Sequence, residues 1–167
     1  TEIAATLAFA AIENNDKVGL VFFSDRIEKF IPPKKGRRHI LYLIRELLDF
    51  QPESNATDIT VPLEFITGAV KKHCTAFLLS DFIDSHDYRN ALTIANRKHD
   101  IAAIRVYDRR MEELPDMGLM KLYDSESGQE MFVDTSSMKV RSAHKKWFDE
   151  NTARFRDYLT RSSVDSV

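Results

Sequence analysis

Cysteine is nearly absent from this 167-residue chain. Cys74 stands alone, so no internal disulfide can form, and nothing points to an oxidising compartment. Long apolar runs are missing as well. None approaches the roughly 18 residues of a membrane-spanning helix, and no signal-peptide pattern is visible. The five glycines are scattered. They build neither a Gly-x-Gly-x-x-Gly turn nor a Gly-Lys-Ser/Thr loop, which argues against a nucleotide-binding Rossmann enzyme. Excess charge is lacking too: the net charge of −2 gives no electrostatic case for nucleic acid or an anionic membrane. Internal repeats and low-complexity tracts are not found. Together these absences lead us to expect a cytoplasmic protein without a membrane span.

What is present is ordinary for a soluble globular protein, with 43% apolar and 30% charged residues. The length suits one domain with a real core and is too short for two ordinary ones. We therefore expect residues 1–167 to be a single domain. The chain starts at Thr1, without a methionine and already in a helical pattern, and reads as an N-terminally truncated fragment of a longer protein.

The chain is organised around residues 75–84. A short apolar run at 76–79 suits a strand buried on both faces, as in a parallel sheet. Ser80, Asp81 and Asp84 then arrive where the strand should end. In open α/β sheets ligands sit outside the carboxyl ends of strands, so Asp81 stands where function usually resides. The alternative is that Asp81 satisfies loop amides or caps the next helix.

Upstream, Ile3, Leu7 and Ala10 predict a helix over 2–14. Residues 17–23 predict a buried strand and 27–31 an edge-like strand, stopped by Pro32 and Pro33. Ile40, Leu43, Ile44, Leu47 and Leu48 share a face of an amphipathic helix over 36–50. A polar loop over 51–58 leads to a helix over 59–73, with Pro62 in its first turn. Downstream, Tyr88, Ala91, Leu92 and Ala95 mark the inner face of a helix over 87–98. Residues 101–107 form another buried strand. Residues 119–123 and 130–133 flank a hairpin turn at 124–128. Ser136 or Ser137 caps a long final helix whose inward face carries Ala143, Trp147, Phe148, Phe155, Tyr158 and Leu159. Residues 162–167 read as frayed.

Helices alternating with buried strands give an α/β layered fold with a mostly parallel sheet. Since the strand–helix–strand unit is the building block, the first helix should follow a strand of its own, and that missing strand would be central.

Asp81 and Asp84 lie three apart across a strand end. Such a pair can hold a divalent cation, since Mg²⁺ takes a few hard oxygen ligands plus waters. Thr57 sits in a loop that should reach the same end of the sheet. The competing reading is that all three make caps and turns. His39, His73, His86, His99 and His144 lie singly, without Cys or Glu at zinc-ligand spacing, and read as surface or core residues. Cys74 reads as a small core residue, its neighbour His73 pointing elsewhere. Lys34, Lys35, Arg37 and Arg38 oppose the dipole of the helix they precede, so helix stability does not explain them. They could dock an acidic partner or simply be solvated.

Taken in order, several segments resemble the DUF58 family: DKVGLVFFS at 16–24, IPPKKG at 31–36, TDI at 57–59 and LSDF at 79–82. So do HDI at 99–101, VYD at 106–108, ELP at 113–115, the turn at 124–128 and VD at 133–134. The resemblance covers nearly the whole chain. It implies a von Willebrand factor A-type (vWA) domain, a three-layer Rossmann-like sheet flanked by helices, apparently without its first central strand. Such domains bind Mg²⁺ or Mn²⁺ at a metal-ion-dependent adhesion site (MIDAS). That site combines an Asp-x-Ser-x-Ser loop, a Thr and an Asp.

By the resemblance Thr57 and Asp81 match the second and third elements. Asp58 and Asp84 are outer or alternative ligands. The first element should lie upstream of Thr1, so this chain alone is expected to bind the metal poorly, and its exposed sheet edges could self-pair. The family further implies a MoxR-type AAA+ ATPase as partner, in chaperone-like maturation or a stress response. The leading expectation is thus a non-enzymatic, metal-assisted protein-interaction domain. The rivals are a Mg²⁺-dependent phosphoryl-transfer enzyme or nuclease using Asp81 and Asp84, and a purely structural fragment without a site.

Overall fold

Short apolar runs between amphipathic segments give strands and helices in alternation, as seen in a computed structural model that describes residues 1–123 and 130–166. The chain divides into two compact units, Thr1–Asn55 and Ala56–Val167.

The first unit carries helix α1 (Glu2–Glu13), strands β1 (Val18–Phe23) and β2 (Ile27–Lys34), and helix α2 (Arg37–Asp49). β1 and β2 pair antiparallel. Ala8, Ile31, Ile40 and Leu43 form the core of this unit, with Ile12, Val18, Leu20, Phe22 and Ile44 packed against it. The inner face of α1 is therefore set by Ala8 and Ile12. Ile3, expected inward, is 40% exposed, and Ala10 is also exposed. On α2 the expected apolar stripe holds for Ile40 and Leu43, but Leu48 in the last turn points to solvent.

The prolines do not stop β2, which runs through both of them. The register explains why. Leu20 pairs with Ile31 and Val18 with Lys34, so two steps on β1 face three on β2. Pro32 and Pro33 sit in that bulge, where no ladder N–H is required. Gly19 lies opposite. A Cβ there would come within 2.9 Å of both the Ile31 carbonyl oxygen and Pro33 Cγ. Gly19→Ala is expected to cost about 1–3 kcal/mol by overpacking, read as a lower urea midpoint at an unchanged denaturant slope.

The second unit carries α3 (Thr60–Ala69), β3 (Thr75–Ser80), α4 (Arg89–Lys98), β4 (Asp100–Arg105), β5 (Leu119–Tyr123), β6 (Glu130–Asp134), α5 (Met138–Ser162) and β7 (Asp165–Ser166). β3, β4 and β7 form a parallel three-stranded sheet in that spatial order, and β5 and β6 an antiparallel hairpin. The parallel sheet accompanied by helices is the mixed α/β architecture expected. The other two sheets among the described residues are antiparallel ribbons. The turn expected at 124–128 lies outside the described residues.

Several boundaries differ from expectation. α3 ends at Ala69, because Val70 is already extended. β3 is not buried on both faces: Leu78 is buried while Phe77 is 46% exposed. It takes ladder bonds from β4 on one side, so among the described residues it is an edge, and only one of its faces packs. Residues 162–166 are not frayed. Ser163 turns in the left-handed region (φ 53), and β7 then pairs with β4 through Ala102–Asp165 and Ala103–Ser166.

Tyr88, Ala91, Leu92 and Ala95 are buried as expected, and α4 packs between α3 and α5. α5 buries Phe148, Phe155, Tyr158 and Leu159, whereas Ala143 and Trp147 turn outward. Aromatic contacts tie this helix to the end of β3. The Phe82 and Phe155 rings lie 4.5 Å apart, and Tyr88 meets Tyr158 edge-on at 4.9 Å.

Candidate functional site

The carboxyl end of β3 is a tight reversal built from its own side chains. Phe82 N–H donates to Ser80 Oγ at 3.0 Å, and Ile83 N–H donates to Asp81 Oδ1 at 3.1 Å. Two successive side-chain-closed turns bend the strand sharply. Phe82 adopts φ +57, a left-handed conformation that costs a bulky residue on the order of 1–2 kcal/mol. In return its ring is 2% exposed, seated against Phe155 and Tyr88.

Beyond the reversal lies Asp84, whose carboxylate is buried. Oδ2 accepts the Ile59 N–H at 2.7 Å, and Oδ1 accepts both the His86 N–H and His86 Nδ1 at 2.7 Å. Ile59 is the residue that opens α3 and is fully buried. A buried amide without a partner is costly, so Asp84 serves the start of α3 and its own loop together. Asp58 supports the same corner by accepting the Thr60 N–H at 2.8 Å. Asp87 closes the loop: it accepts the Arg89 N–H and pairs with the Arg89 guanidinium at 2.5 Å, which holds its carboxyl down at about 2.

Two guanidinium groups fix this loop from behind. Arg105 Nε donates to the Asp81 carbonyl at 3.0 Å and its Nη1 to Thr152 Oγ1 at 2.9 Å. Its charge lies over the rings of Tyr107, Phe148 and Phe155, 4.8 to 5.4 Å from their centroids. Arg154, on α5, donates to the Asp84 carbonyl and to Asn151 Oδ1.

The outcome is a group of three side chains of the types that can ligate a metal. Asp58, Asp84 and His86 each present one ligand atom, all within 4.8 Å of one another. The His86 imidazole has its pKa raised, first by the hydrogen bond to Asp84, then by the nearby Asp58 and Asp84 charges. The Thr57 carbonyl acts on the ring in the same direction. Of the four residues expected from the sequence, Asp58 and Asp84 thus meet, and Thr57 adjoins them in the chain. Asp81 stands outside the group and closes the turn at Ile83 instead. His86 was missed, having been read as isolated. The signal was its position two residues after Asp84, a spacing that an extended loop places on one side.

The donor set is two carboxylates and an imidazole, with the Thr57 hydroxyl in the adjoining chain. That chemistry fits Mn²⁺, which accepts imidazole with hard oxygen, better than Mg²⁺, which prefers oxygen alone. Asp84 already accepts three hydrogen bonds, so it organises the group more than it is free to bind.

Residues 1–154 match the family model of DUF58, described as proteins of unknown function. The chain belongs to DUF58. This DUF58 chain is 26% identical over 127 residues to the uncharacterised proteins Rv1480 of Mycobacterium tuberculosis and Mb1516 of Mycobacterium bovis, a match spanning 75% of this chain. The match spans only 40% of the length of those two curated relatives. The uncharacterised protein MAV169 of Mycobacterium avium is 26% identical over 123 residues, 69% of this chain and 73% of its own.

Among solved structures, an aerotolerance-related membrane protein from Bacteroides fragilis is similar with a TM-score of 0.59 at 12% identity, over 99% of this chain and 79% of that one. The conserved hypothetical protein BatB from Bacteroides thetaiotaomicron gives 0.54 at 13% identity, over 97% and 87%. At such identities the likeness shows the fold alone. Among the described residues of the DUF58 chain, no helix is long and apolar enough to cross a membrane.

Proposed function

We propose that this DUF58 chain is a non-enzymatic, metal-assisted protein-interaction domain of vWA type, spanning residues 1–167. The observation that carries the reading is the Asp58, Asp84 and His86 group beyond the carboxyl end of β3, organised on a buried carboxylate. Asp58 and His86 would hold Mn²⁺ or Mg²⁺ at the surface, with Thr57 beside them, and Asp81 would shape the loop that carries them. An acidic side chain of the partner would complete the coordination. The MoxR-type AAA+ ATPase as partner, and a chaperone-like role, come from the family resemblance. The Bacteroides fragilis protein is described as aerotolerance-related, and a stress-response setting for this chain is in line with that. The rival phosphoryl-transfer or nuclease reading needs Asp81 and Asp84 as a working pair. It draws less support, because Asp84 is buried and committed to three hydrogen bonds while Asp81 stands outside the group.

Calorimetric titration with MnCl₂ and MgCl₂ tests this. We expect one Mn²⁺ per chain, bound more tightly than Mg²⁺. Asp58→Ala is expected to weaken Mn²⁺ at least tenfold, and Asp81→Ala to weaken it less. Binding that is unaltered in Asp58→Ala, or no binding by the unaltered chain, overturns the metal assignment.

A further inference from the structure

A second cluster of ligand-type side chains lies at the opposite, amino ends of β3 and β4. The parallel register pairs Thr75 with Asp100, so the residues just before each strand come side by side. The backbone locks this arrangement, with the Asp100 N–H donating to the Cys74 carbonyl at 2.9 Å. Cys74 Sγ consequently sits 3.5 Å from His99 Nδ1. His73 precedes Cys74, and its exposed ring lies 6.4 Å, centroid to centroid, from that of His99. Its Nε2 is 3.6 Å from Asp100 Oδ1.

His99 is the anomaly. It is fully buried, and Nε2 makes no hydrogen bond of normal geometry, although the Ile66 carbonyl acts on the ring. A buried polar atom left in this way calls for an explanation. Burial holds the His99 imidazole below its ordinary pKa, with the Ile66 carbonyl acting in the opposite direction. Burial, and then Asp100, push the Cys74 thiol up. Cys74 is therefore no free thiolate nucleophile, and its proton leaves when a cation takes its place.

We infer that Cys74, His99 and His73 form a binding site for a borderline-soft divalent cation, Zn²⁺ above all. It is separate from the oxygen-rich group at the other end of the strands. Cys74 Sγ and His99 Nδ1 are the fixed pair. Sulfur at about 2.3 Å and nitrogen at about 2.0–2.1 Å from a tetrahedral Zn²⁺ stand roughly 3.5 Å apart, which the pair already satisfies. His73, exposed and lying beside Asp100 and the His99 ring, swings in as the third ligand. Asp100 then orients His73 or supplies the fourth position. Coordination through Nδ1 keeps His99 in the tautomer that carries its proton on Nε2, so the Ile66 carbonyl remains the neighbour of that N–H with or without the cation. The binding step replaces the S–H bond of Cys74 by an S–Zn bond and releases one proton to solvent. No electrons are transferred.

The test titrates the full chain, stripped of metal by chelation, with Co²⁺ and then Zn²⁺. We expect thiolate-to-cobalt charge-transfer absorption that reports this site alone, saturating at one sulfur-bound Co²⁺ per chain whatever the carboxyl-end group takes up, and bleached by added Zn²⁺. Cys74→Ser abolishes the absorption and weakens Zn²⁺ at least tenfold. His73→Ala, an exposed change that leaves the fold intact, weakens it about 10–100-fold, as loss of one ligand does. His99→Ala is not relied on, since it opens the core. Failure of the carboxyl-end reading is seen separately, because Cys74→Ser must leave the Mn²⁺ titration unchanged. Absence of the charge-transfer absorption in the unaltered chain, or Zn²⁺ affinity equal in all three proteins, overturns the inference.

Discussion

Asp84→Ala is expected to destabilise the chain by about 2–5 kcal/mol, read as a lower denaturant midpoint at an unchanged slope. The carboxylate accepts the Ile59 and His86 amides at 2.7 Å each, and the Ile59 residue is wholly buried. Each buried donor left unsatisfied costs about 1–3 kcal/mol. Water cannot easily replace the carboxylate at the Ile59 amide, since Ile59 is wholly buried. Asp84→Asn keeps one acceptor and should lose about half as much. Asp81→Ala is the control, since Asp81 is half-buried and its side chain closes a single turn at Ile83, and about 1 kcal/mol is expected. Equal losses at 81 and 84 would contradict the division of labour between the two residues.

The second large effect is at Arg105. Arg105→Ala removes a guanidinium seated on three aromatic faces and two hydrogen bonds, one to the Asp81 carbonyl. Cation–π contacts contribute about 0.5–2 kcal/mol each, and the residue is only partly buried. A loss of about 2–4 kcal/mol is expected in the same denaturation assay. Arg105→Lys should recover only part of it, because an ammonium on a flexible stem cannot stack on several rings while donating sideways to a carbonyl. Full recovery by lysine would reduce Arg105 to a simple charge.

How legible this was in the sequence varies from element to element. α4 could be read directly, because Tyr88, Ala91, Leu92 and Ala95 recur at helical spacing and all four are buried. β3, β4 and the β5–β6 pair were legible from apolar runs and turn residues. The passage of β2 through Pro32 and Pro33 was not, because it depends on a bulge that only the register with β1 reveals. β7 was missed for a related reason. Two residues carry no periodicity, and their pairing with Ala102 and Ala103 is a tertiary fact. On α5 the stripe of Phe148, Phe155 and Leu159 held, but Trp147 lies about 100° round the helix from Phe148 and turns outward, so the two neighbours could not share the inner face.

The candidate site divides in the same way. Asp58 and Asp84 could be found, since carboxylates after a strand and before a helix attract attention on position alone. His86 offered only its spacing from Asp84, and the Cys74–His99 contact offered no signal, because each joins residues through a loop conformation or a strand register. Composition and spacing report what a residue is and which face it occupies. They do not report which lone pair is already taken.

The two arginines behind the β3 loop have an evolutionary consequence. Arg105 and Arg154 grip main-chain carbonyls, those of Asp81 and Asp84, and not the side chains that the loop displays. Every residue type has that carbonyl. Descendants of this chain can therefore exchange side chains that the loop only displays, such as that of Ser85, while the turn-closing Asp81 and Asp84 and the two arginines keep its path. Divergence in what the surface recognises then requires no reinvention of the scaffold behind it.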